Sequence, residues 1–510
     1  MSRPGVEVYS AASAPPRGAP TDTSVAFILS EAETGPVDAP TRLTSMDDYT
    51  RTYGARLPGS YGYDSCDAAF HDGCTTIYFQ RIDDGGAPAT ADATPIAGGG
   101  TLDAASPGTW GNDLSVNVVL APAGLSGKSK GKNGNGTPPQ SSRLTYDAAP
   151  QAAGQFMVTV TEAGTIVQTS LPIDTDNELA AFLAGGDYAV LTGASGNALV
   201  VGAVALAGGT NGTIPAADVD ALQAGLDCLT ADLGPGQVLA PGRHDPEDHA
   251  ALLAHAAGTS MSKVNRVAFL DGGMSTDATE LVTLASASRG AQEDRYGALW
   301  GPWAVIPGLA PGTNRVVPWS ALQAGICARS DAAGNPNQAA AGGFGVSQYA
   351  IDLVQSFTDD ERETLLYAGV NTARSVYGSV EAYGFRTLVD PAGPRSQWRE
   401  LNHARLNMAI VAQSNVVGES TVFAQIDGRG HTIAKFNGRL AAMLKGFYDD
   451  DALFGETASD AFVVNTGPAV NTPDKLADGV LSAVLSVRMS PHAELVQIYI
   501  VKYPITVTLA

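Results

Sequence analysis

Two stretches without hydrophobic periodicity divide the chain and most restrict the folds open to it: residues 87–100, mostly Ala, Pro, Gly and Thr, and residues 124–142, mostly Gly, Ser, Lys, Asn and Pro. Turn chemistry runs through both, so neither predicts a helix or a strand. Ahead of them, Ser24-Val25-Ala26-Phe27-Ile28-Leu29 predicts a buried strand ended by the turn Thr34-Gly35-Pro36. The apolar run Thr75 to Ile82 predicts another, closed by Asp83-Asp84-Gly85-Gly86. Between and after the interruptions, Leu114 to Leu120 and Phe156 to Thr161 predict strands, making residues 100–207 a β-rich module with a loop at its edge. Past Gly208-Gly209 the pattern changes again. Val219, Leu222, Leu226 and Leu229 have helical spacing, residues 247–257 predict a helix, and Val264 to Leu270 a strand. Strands alternating with helices predict a second, α/β module at about 208–310. At 510 residues the length favours two to four domains.

The last two hundred or so residues are the most regular. Thr358-Asp359-Asp360-Glu361 predicts a helix N-terminus, with a cap and acidic residues in the first turn. Residues 398–416 and 431–448 predict helices. In the second, Phe436, Leu440, Met443, Leu444 and Phe447 share one face and Lys435 and Arg439 a neighbouring one, which gives a core side and a basic side. Two alternating runs close the chain: Val496, Ile498 and Ile500, then Ile505, Val507 and Leu509, separated by Pro504. At the other end, residues 1–24 are rich in Pro, Ala and Ser and read as an extended arm, with one short alternating patch at Val6, Glu7, Val8 and Tyr9.

Acidic residues outnumber basic ones 52 to 30, a formal charge of -22, which favours soluble monomers and argues against nucleic acid as a partner. The four cysteines are too few and scattered for a disulfide framework, and a reducing cytoplasm suits them. Cys66, His71 and Cys74 lie close together, but no second ligand pair follows at zinc-finger spacing, so no metal is expected. The start, Met1-Ser2-Arg3-Pro4-Gly5, lacks the apolar stretch of a leader, and the longest apolar run, Ala198 to Ala207, is too short to cross a bilayer. The expectation is a protein made and kept in the cytoplasm without membrane insertion.

Catalytic motifs fail one by one. Gly127-Lys128-Ser129 lacks the glycine five residues earlier, where Pro122 stands, and no strand leads into it. Nucleophile-elbow, zinc-protease and dinucleotide patterns are missing, and His244, His249, His255 and His403 lack ligand spacing. Asp449-Asp450-Asp451 has no alternating ligand loop and reads as a solvated helix end. A glycosidase-like carboxylate pair stays open, since nothing selects one among so many acidic residues. The expectation is no enzyme and no cofactor.

A series of short motifs carries a resemblance. Pro4-Gly5-Val6, Gly35-Pro36 with Leu43-Thr44-Ser45, and Tyr53-Gly54 resemble the opening of contractile tail sheath proteins. Ser106-Pro107-Gly108-Thr109-Trp110-Gly111-Asn112 is similar to the motif that enters their inserted domain. Gly236 to Gly242, Gly301-Pro302-Trp303, Val317-Pro318, Ala324 to Arg329, Ala368 to Asn371, Gly384 to Leu388, Asn402 to Leu406, Ala452 to Gly455 and Asn471-Thr472 continue in the same order. Pro318-Trp319-Ser320 departs from the usual Pro-Pro-Ser.

The resemblance implies a multi-domain α/β fold divided as follows: an N-terminal arm at 1–24, a first part of the sheath core at 25–95, a β-rich outer insert at 96–207, an inserted α/β domain at 208–312, a second part of the core at 313–493 and a C-terminal arm strand at 494–510. It implies a subunit that forms stacked hexameric rings around an inner tail tube, meets baseplate and terminator proteins, and contracts to drive the tube through a target envelope. Such a particle is a phage tail or a cell-encoded injection system, assembled in a bacterial cytoplasm. The N-terminal patch Val6 to Tyr9 and the C-terminal Val496, Ile498, Ile500, Ile505, Val507 and Leu509 are expected to add strands to neighbouring subunits; pairing within the subunit stays open. Lys435, Arg439 and Lys445 on the helix 431–448 are expected to face the tube. A static self-assembling shell and an extracellular carbohydrate-active or carbohydrate-binding protein are the alternatives.

Overall fold

The computed structural model describes residues 21–121, 155–216, 218–258, 266–275, 277–290, 293–494 and 496–498. Val6, Glu7, Val8, Tyr9, Ile500, Ile505, Val507, Leu509 and the Gly127-Lys128-Ser129 loop therefore lie outside the described residues.

A seven-stranded sheet organises the molecule. Its strands are β1 (Ala26–Ser30), β2 (Thr41–Leu43), β3 (Ile77–Arg81), β4 (Gln237–Leu239), β5 (Val267–Asp271), β6 (Gly297–Trp300) and β7 (Val370–Asn371), in the order β7-β6-β5-β4-β1-β3-β2. All neighbours are parallel except the edge pair β2–β3. Every residue of β1, β5 and β6 is buried, as expected of parallel strands covered on both faces and continuously apolar in sequence. One face packs on α1 (Gly62–Asp72), α2 (Trp319–Ala333) and the start of α3 (Leu401–Glu419), around Phe79, Phe269, Trp300 and Ile326. The other packs on helices Val219–Cys228, Pro246–Ala256 and Ala278–Ala287, around Phe27, Leu226, Leu252 and Leu281.

This topology corrects the expected inserted α/β domain at 208–312. Its strands β4, β5 and β6 are the middle of the sheet, with β4 hydrogen-bonded in parallel to β1. Strands and helices do alternate there, but a strand pairs with whatever partner completes the core, and here the partner lies some two hundred residues away.

The β-rich module has its own core, built on Ile96, Leu102, Trp110, Val116, Val160, Leu179 and Leu191. A four-stranded sheet holds Gly202–Ala205, Leu114–Leu120, Phe156–Glu162 and Thr165–Thr169 in that order, beside a three-stranded sheet of Thr90–Asp92, Thr101–Ala104 and Ala189–Thr192. The expected boundary at 95/96 falls inside a short helix, Thr94–Ala97. Residues 87–100 belong to the module's core: beside the buried Ile96, the buried Ala89, Ala93 and Ala97 give small residues a packing role that periodicity does not reveal. The module joins the sheet through a neck where Ala87 and Thr210 exchange backbone hydrogen bonds at 3.0 and 2.9 Å. The Ser106 to Asn112 motif builds this neck. Ser106 Oγ accepts the Gly35 N–H at 3.1 Å, the Pro107 carbonyl accepts from buried Arg81 at 2.8 Å, and the Asn112 amide exchanges bonds with Gly209 at 3.0 and 2.8 Å.

Other motifs also have structural roles. At Gly325 a Cβ would meet the Ala69 carbonyl at 2.5 Å, so glycine lets α1 and α2 approach closely. Buried Asn371 accepts the Arg386 N–H at 2.6 Å and donates to the carbonyls of Arg386 and Leu299 at 2.7 and 3.2 Å. Arg405 is fully buried on Asp331 at 2.7 Å. At the departure Pro318-Trp319-Ser320, Pro318 is the N-cap of α2 and Trp319 is buried, its Nε1 donating to Gln323 at 3.0 Å. The helix expected from Thr358 forms as Asp359–Tyr367 with a reciprocal capping box between Thr358 and Glu361.

Candidate assembly site

In open parallel sheets the crevice for small ligands lies at the C-terminal ends of the strands, where the strand order reverses. Here that point is between β1 and β4, and the chain fills it. Glu31 Oε1 accepts the Ala216 N–H at 2.7 Å, Ser60 Oγ donates to the Glu31 carbonyl at 2.7 Å, and Arg243 donates to the Ala216 carbonyl at 2.6 Å while pairing with Asp248 at 2.7 Å. At the end of β5, Asp271 is covered by Ser320 Oγ at 2.8 Å and by the backbone N–H groups of Ser320 and Gly242, both at 3.2 Å. The return from the outer module thus occupies the place where such sheets receive a substrate.

The residues singled out for a metal do not form a ligand set: the two cysteines are buried in the core and His71 is exposed at its margin. Cys66 and Cys74 are buried free thiols, both raised by desolvation, and the His71 ring stacks on Tyr349 with centroids 4.0 Å apart. Among the described residues, no group of three or more His, Cys, Asp or Glu is arranged to hold a metal ion, and no helix is long and apolar enough to cross a membrane.

A surface with open bonding capacity lies in the C-terminal part. There α3 packs antiparallel to α4 (His431–Asp449) through Leu406, Ile410, Leu444 and Phe447. On α4 rests a hairpin of β8 (Phe462–Asn465) and β9 (Val484–Val487), whose Phe462, Val464, Leu485 and Val487 face that core. The hairpin loop is shaped by Asn471, which donates to the carbonyls of Thr466 and Ser482 at 2.9 and 2.8 Å and accepts the Ser482 N–H at 2.7 Å. Among the described residues this sheet has two strands, and the edges differ: on β8 the Phe462 N–H donates to the Ala458 carbonyl and the Val464 carbonyl accepts from Asn437 Nδ2 at 3.1 Å, whereas the outer edge of β9 has no backbone partner among the described residues; the outward face carries Val463 and Val484, each about half exposed. Two-stranded sheets are marginal alone, and added strands complete them. The sequence reading missed this hairpin: four-residue strands separated by an eighteen-residue loop fall below the reach of alternation, and Asn471-Thr472 was its only trace.

The outward face of α4 carries Lys435, Arg439 and Lys445, all exposed. Two of the three are engaged: Arg439 donates to Ser420 Oγ at 2.7 Å, and Lys445 pairs with Asp449 at 2.6 Å. Lys435 makes no ion pair among the described residues. Beside these cations stand Gly438 and Gly446, where an added Cβ would meet nothing within 4 Å. Past the hairpin, Val496 and Ile498 are 74% and 81% exposed and lie in no strand.

No family model matches the chain, and no curated protein sequence matches it. Solved structures do. The sheath tail protein of Listeria innocua superposes with a TM-score of 0.60 at 12% identity, over 89% of this chain and 90% of that one. The sheath tail protein of Desulfitobacterium hafniense gives 0.56 at 14% identity, over 91% and 93%. The helical sheath of the anti-feeding prophage, in its contracted state, gives 0.54 at 16% identity over 98% and 99%. The chain has the mixed α/β fold of contractile tail sheath proteins over nearly its whole length.

Proposed function

We propose that the chain is the structural subunit of a contractile tail sheath. It polymerises as stacked hexameric rings around an inner tail tube and contracts to drive the tube through a target envelope. The observation that carries this reading is the superposition on a contracted helical sheath over 98% of the chain. The filled crevice at the sheet's reversal point fits a subunit that performs no catalysis.

The open-edged hairpin β8–β9 is the receptor for strands from neighbours. The alternating ends supply them: Val6, Glu7, Val8 and Tyr9 at the start, and Val496, Ile498, Ile500, Ile505, Val507 and Leu509 at the end. Main-chain pairing along an edge tolerates sliding and rotation of the bodies it links, as two packings of one lattice require. The outer module, held by one neck, faces away from the tube, and α4, with Lys435, Arg439 and Lys445, faces it. Gly438 and Gly446 support this orientation. Each weakens the helix by about 0.8–1 kcal/mol relative to alanine without a packing reason in the subunit, which points to a partner that approaches closely. Baseplate and terminator proteins bound the tube's ends, and the particle, phage tail or injection system, assembles in a bacterial cytoplasm.

Negative-stain microscopy of the purified protein tests the reading: tubes of stacked rings in two helical lattices are expected. A single lattice under every condition would favour a static shell, and a monomer that binds glycans would favour the carbohydrate reading.

A further inference from the structure

The C-terminal segment is fastened to the subunit by a cluster of charges at its root. Ser490 is placed first, its Oγ donating to the Asp451 carbonyl at 2.9 Å and its carbonyl accepting from Asn337 at 2.8 Å. Two residues on, His492 lies between two carboxylates: Nδ1 is 3.4 Å from Glu400 Oε2 and Nε2 is 3.4 Å from Glu494 Oε1. Arg386 grips Glu494 at both oxygens, with Nε donating to Oε1 at 2.9 Å and Nη2 to Oε2. Glu400 is the N-cap residue of α3, and its Oε2 also faces His403 Nε2 at 3.3 Å. The same His403 nitrogen is 3.3 Å from the Ser490 carbonyl.

Two separate stretches of chain therefore converge on the tail. The loop after the hairpin Ala373–Val376/Ser379–Ala382 brings Arg386, the first turn of α3 brings Glu400 and His403, and the tail brings His492 and Glu494. Two carboxylates and one guanidinium leave a net charge of minus one. A proton on His492 cancels it in a partly buried place where charge imbalance is costly. Immediately beyond, Val496 and Ile498 are exposed, so the cluster stands where the chain passes from buried contacts to an exposed stretch.

We propose that Arg386, Glu400, His403, His492 and Glu494 form a proton-operated clasp on the root of the C-terminal segment, closed while His492 carries a proton and loosened when it loses it. Burial opposes the charge on His492, but Glu400 and Glu494 outweigh it and carry its pKa up to about 9. Glu494 is held down to about 2, by His492 and, against burial, by Arg386; Glu400 is lowered as well, chiefly by His492. The raised histidine contributes stability that is complete below its ordinary value near 6.5 and disappears as pH rises through about 9. The lowered Glu494 contributes above 4.5, and that part is lost as pH falls through about 2. The clasp is closed near neutral pH and opens in alkali. On the sheath reading, on which only this consequence rests, it sets where and in which direction the arm departs toward a neighbour.

Mass-spectrometric exchange at histidine C2 and at backbone amides tests the clasp on the full-length chain, assembled or not. Of the seven histidines, His492 is expected to titrate near 9, and Glu494→Gln to lower its midpoint by at least one pH unit. Amide exchange of peptides covering 489–498, corrected for the intrinsic pH dependence, is expected to rise about fivefold or more between pH 7 and 10 in the wild type. In His492→Gln it is already raised at pH 7. A His492 midpoint near 6.5, a midpoint untouched by Glu494→Gln, or equal exchange in wild type and His492→Gln would overturn the proposal. Tubes whose His492 titrates near 6.5 would keep the sheath reading and remove the clasp; a chain that forms no tubes but shows these shifts would do the reverse.

Discussion

Asp271 shows how a single carboxyl adjusts to a sheet that has closed over its own crevice. Burial raises its pKa to about 7 although Ser320 and Gly242 supply hydrogen bonds that favour the charge. Because the folded protein holds this proton more tightly than the unfolded chain, stability falls as pH rises from about 4 to about 7 and is level beyond. His249 and His255, lowered by burial to about 4 and about 3, act in the opposite direction: the unfolded chain protonates first, so stability falls as pH drops below 6.5. Both histidines are shared with an Asp271→Asn variant, so the difference between the two proteins isolates the aspartate. Urea unfolding from pH 5 to 8 is expected to show the wild type losing on the order of a few kcal/mol relative to Asp271→Asn. A constant difference across that range would refute the assignment.

At the scale of elements, α4 is a helix built below its own optimum. Its inner face, Leu440, Leu444 and Phe447, is buried and would hold it in place with alanine at every exposed glycine. Gly438→Ala and Gly446→Ala are each expected to raise the thermal stability of the subunit by about 0.8–1 kcal/mol, because nothing in the subunit obstructs the methyl group. They are also expected to reduce the yield of sedimentable tubes around an inner tube. Equal yields would remove α4 from the tube interface. The hairpin β8–β9 is a similar case, since the outer edge of β9 has no backbone partner among the described residues, and its four-residue strands are stable because α4 supports one face.

Across the whole molecule, the organisation is one sheet core interrupted by one module rather than by two. Replacing residues 88–209 with an Asn-Gly turn is expected to leave a folded core, because Ala87 and Thr210 are already cross-strand partners. The loss should be about 1–3 kcal/mol, chiefly from Arg81, which forfeits its Pro107 acceptor. Aggregation of this protein, with a native far-UV spectrum never recovered, would mean that the module contributes to the central core. Deleting residues 496–510 is expected to give a folded, soluble monomer by circular dichroism and sedimentation that no longer polymerises. An unfolded product would assign the tail to its own subunit's sheet.

Local features follow from residues close together along the chain. The all-apolar run of β1, the capping box at Thr358 and the two-faced pattern of α4 each specify their element through neighbours three or four residues away, and each is found where expected. Alanine-rich segments such as 87–100 stayed illegible because small side chains fill space without imprinting a period. Tertiary structure alone decided that β4 pairs with β1, that residues 208–312 complete the sheet instead of forming a domain, and that Arg386, Glu400 and His492 meet. Those choices depend on which distant surfaces bury one another best, and no local pattern of residues carries that information.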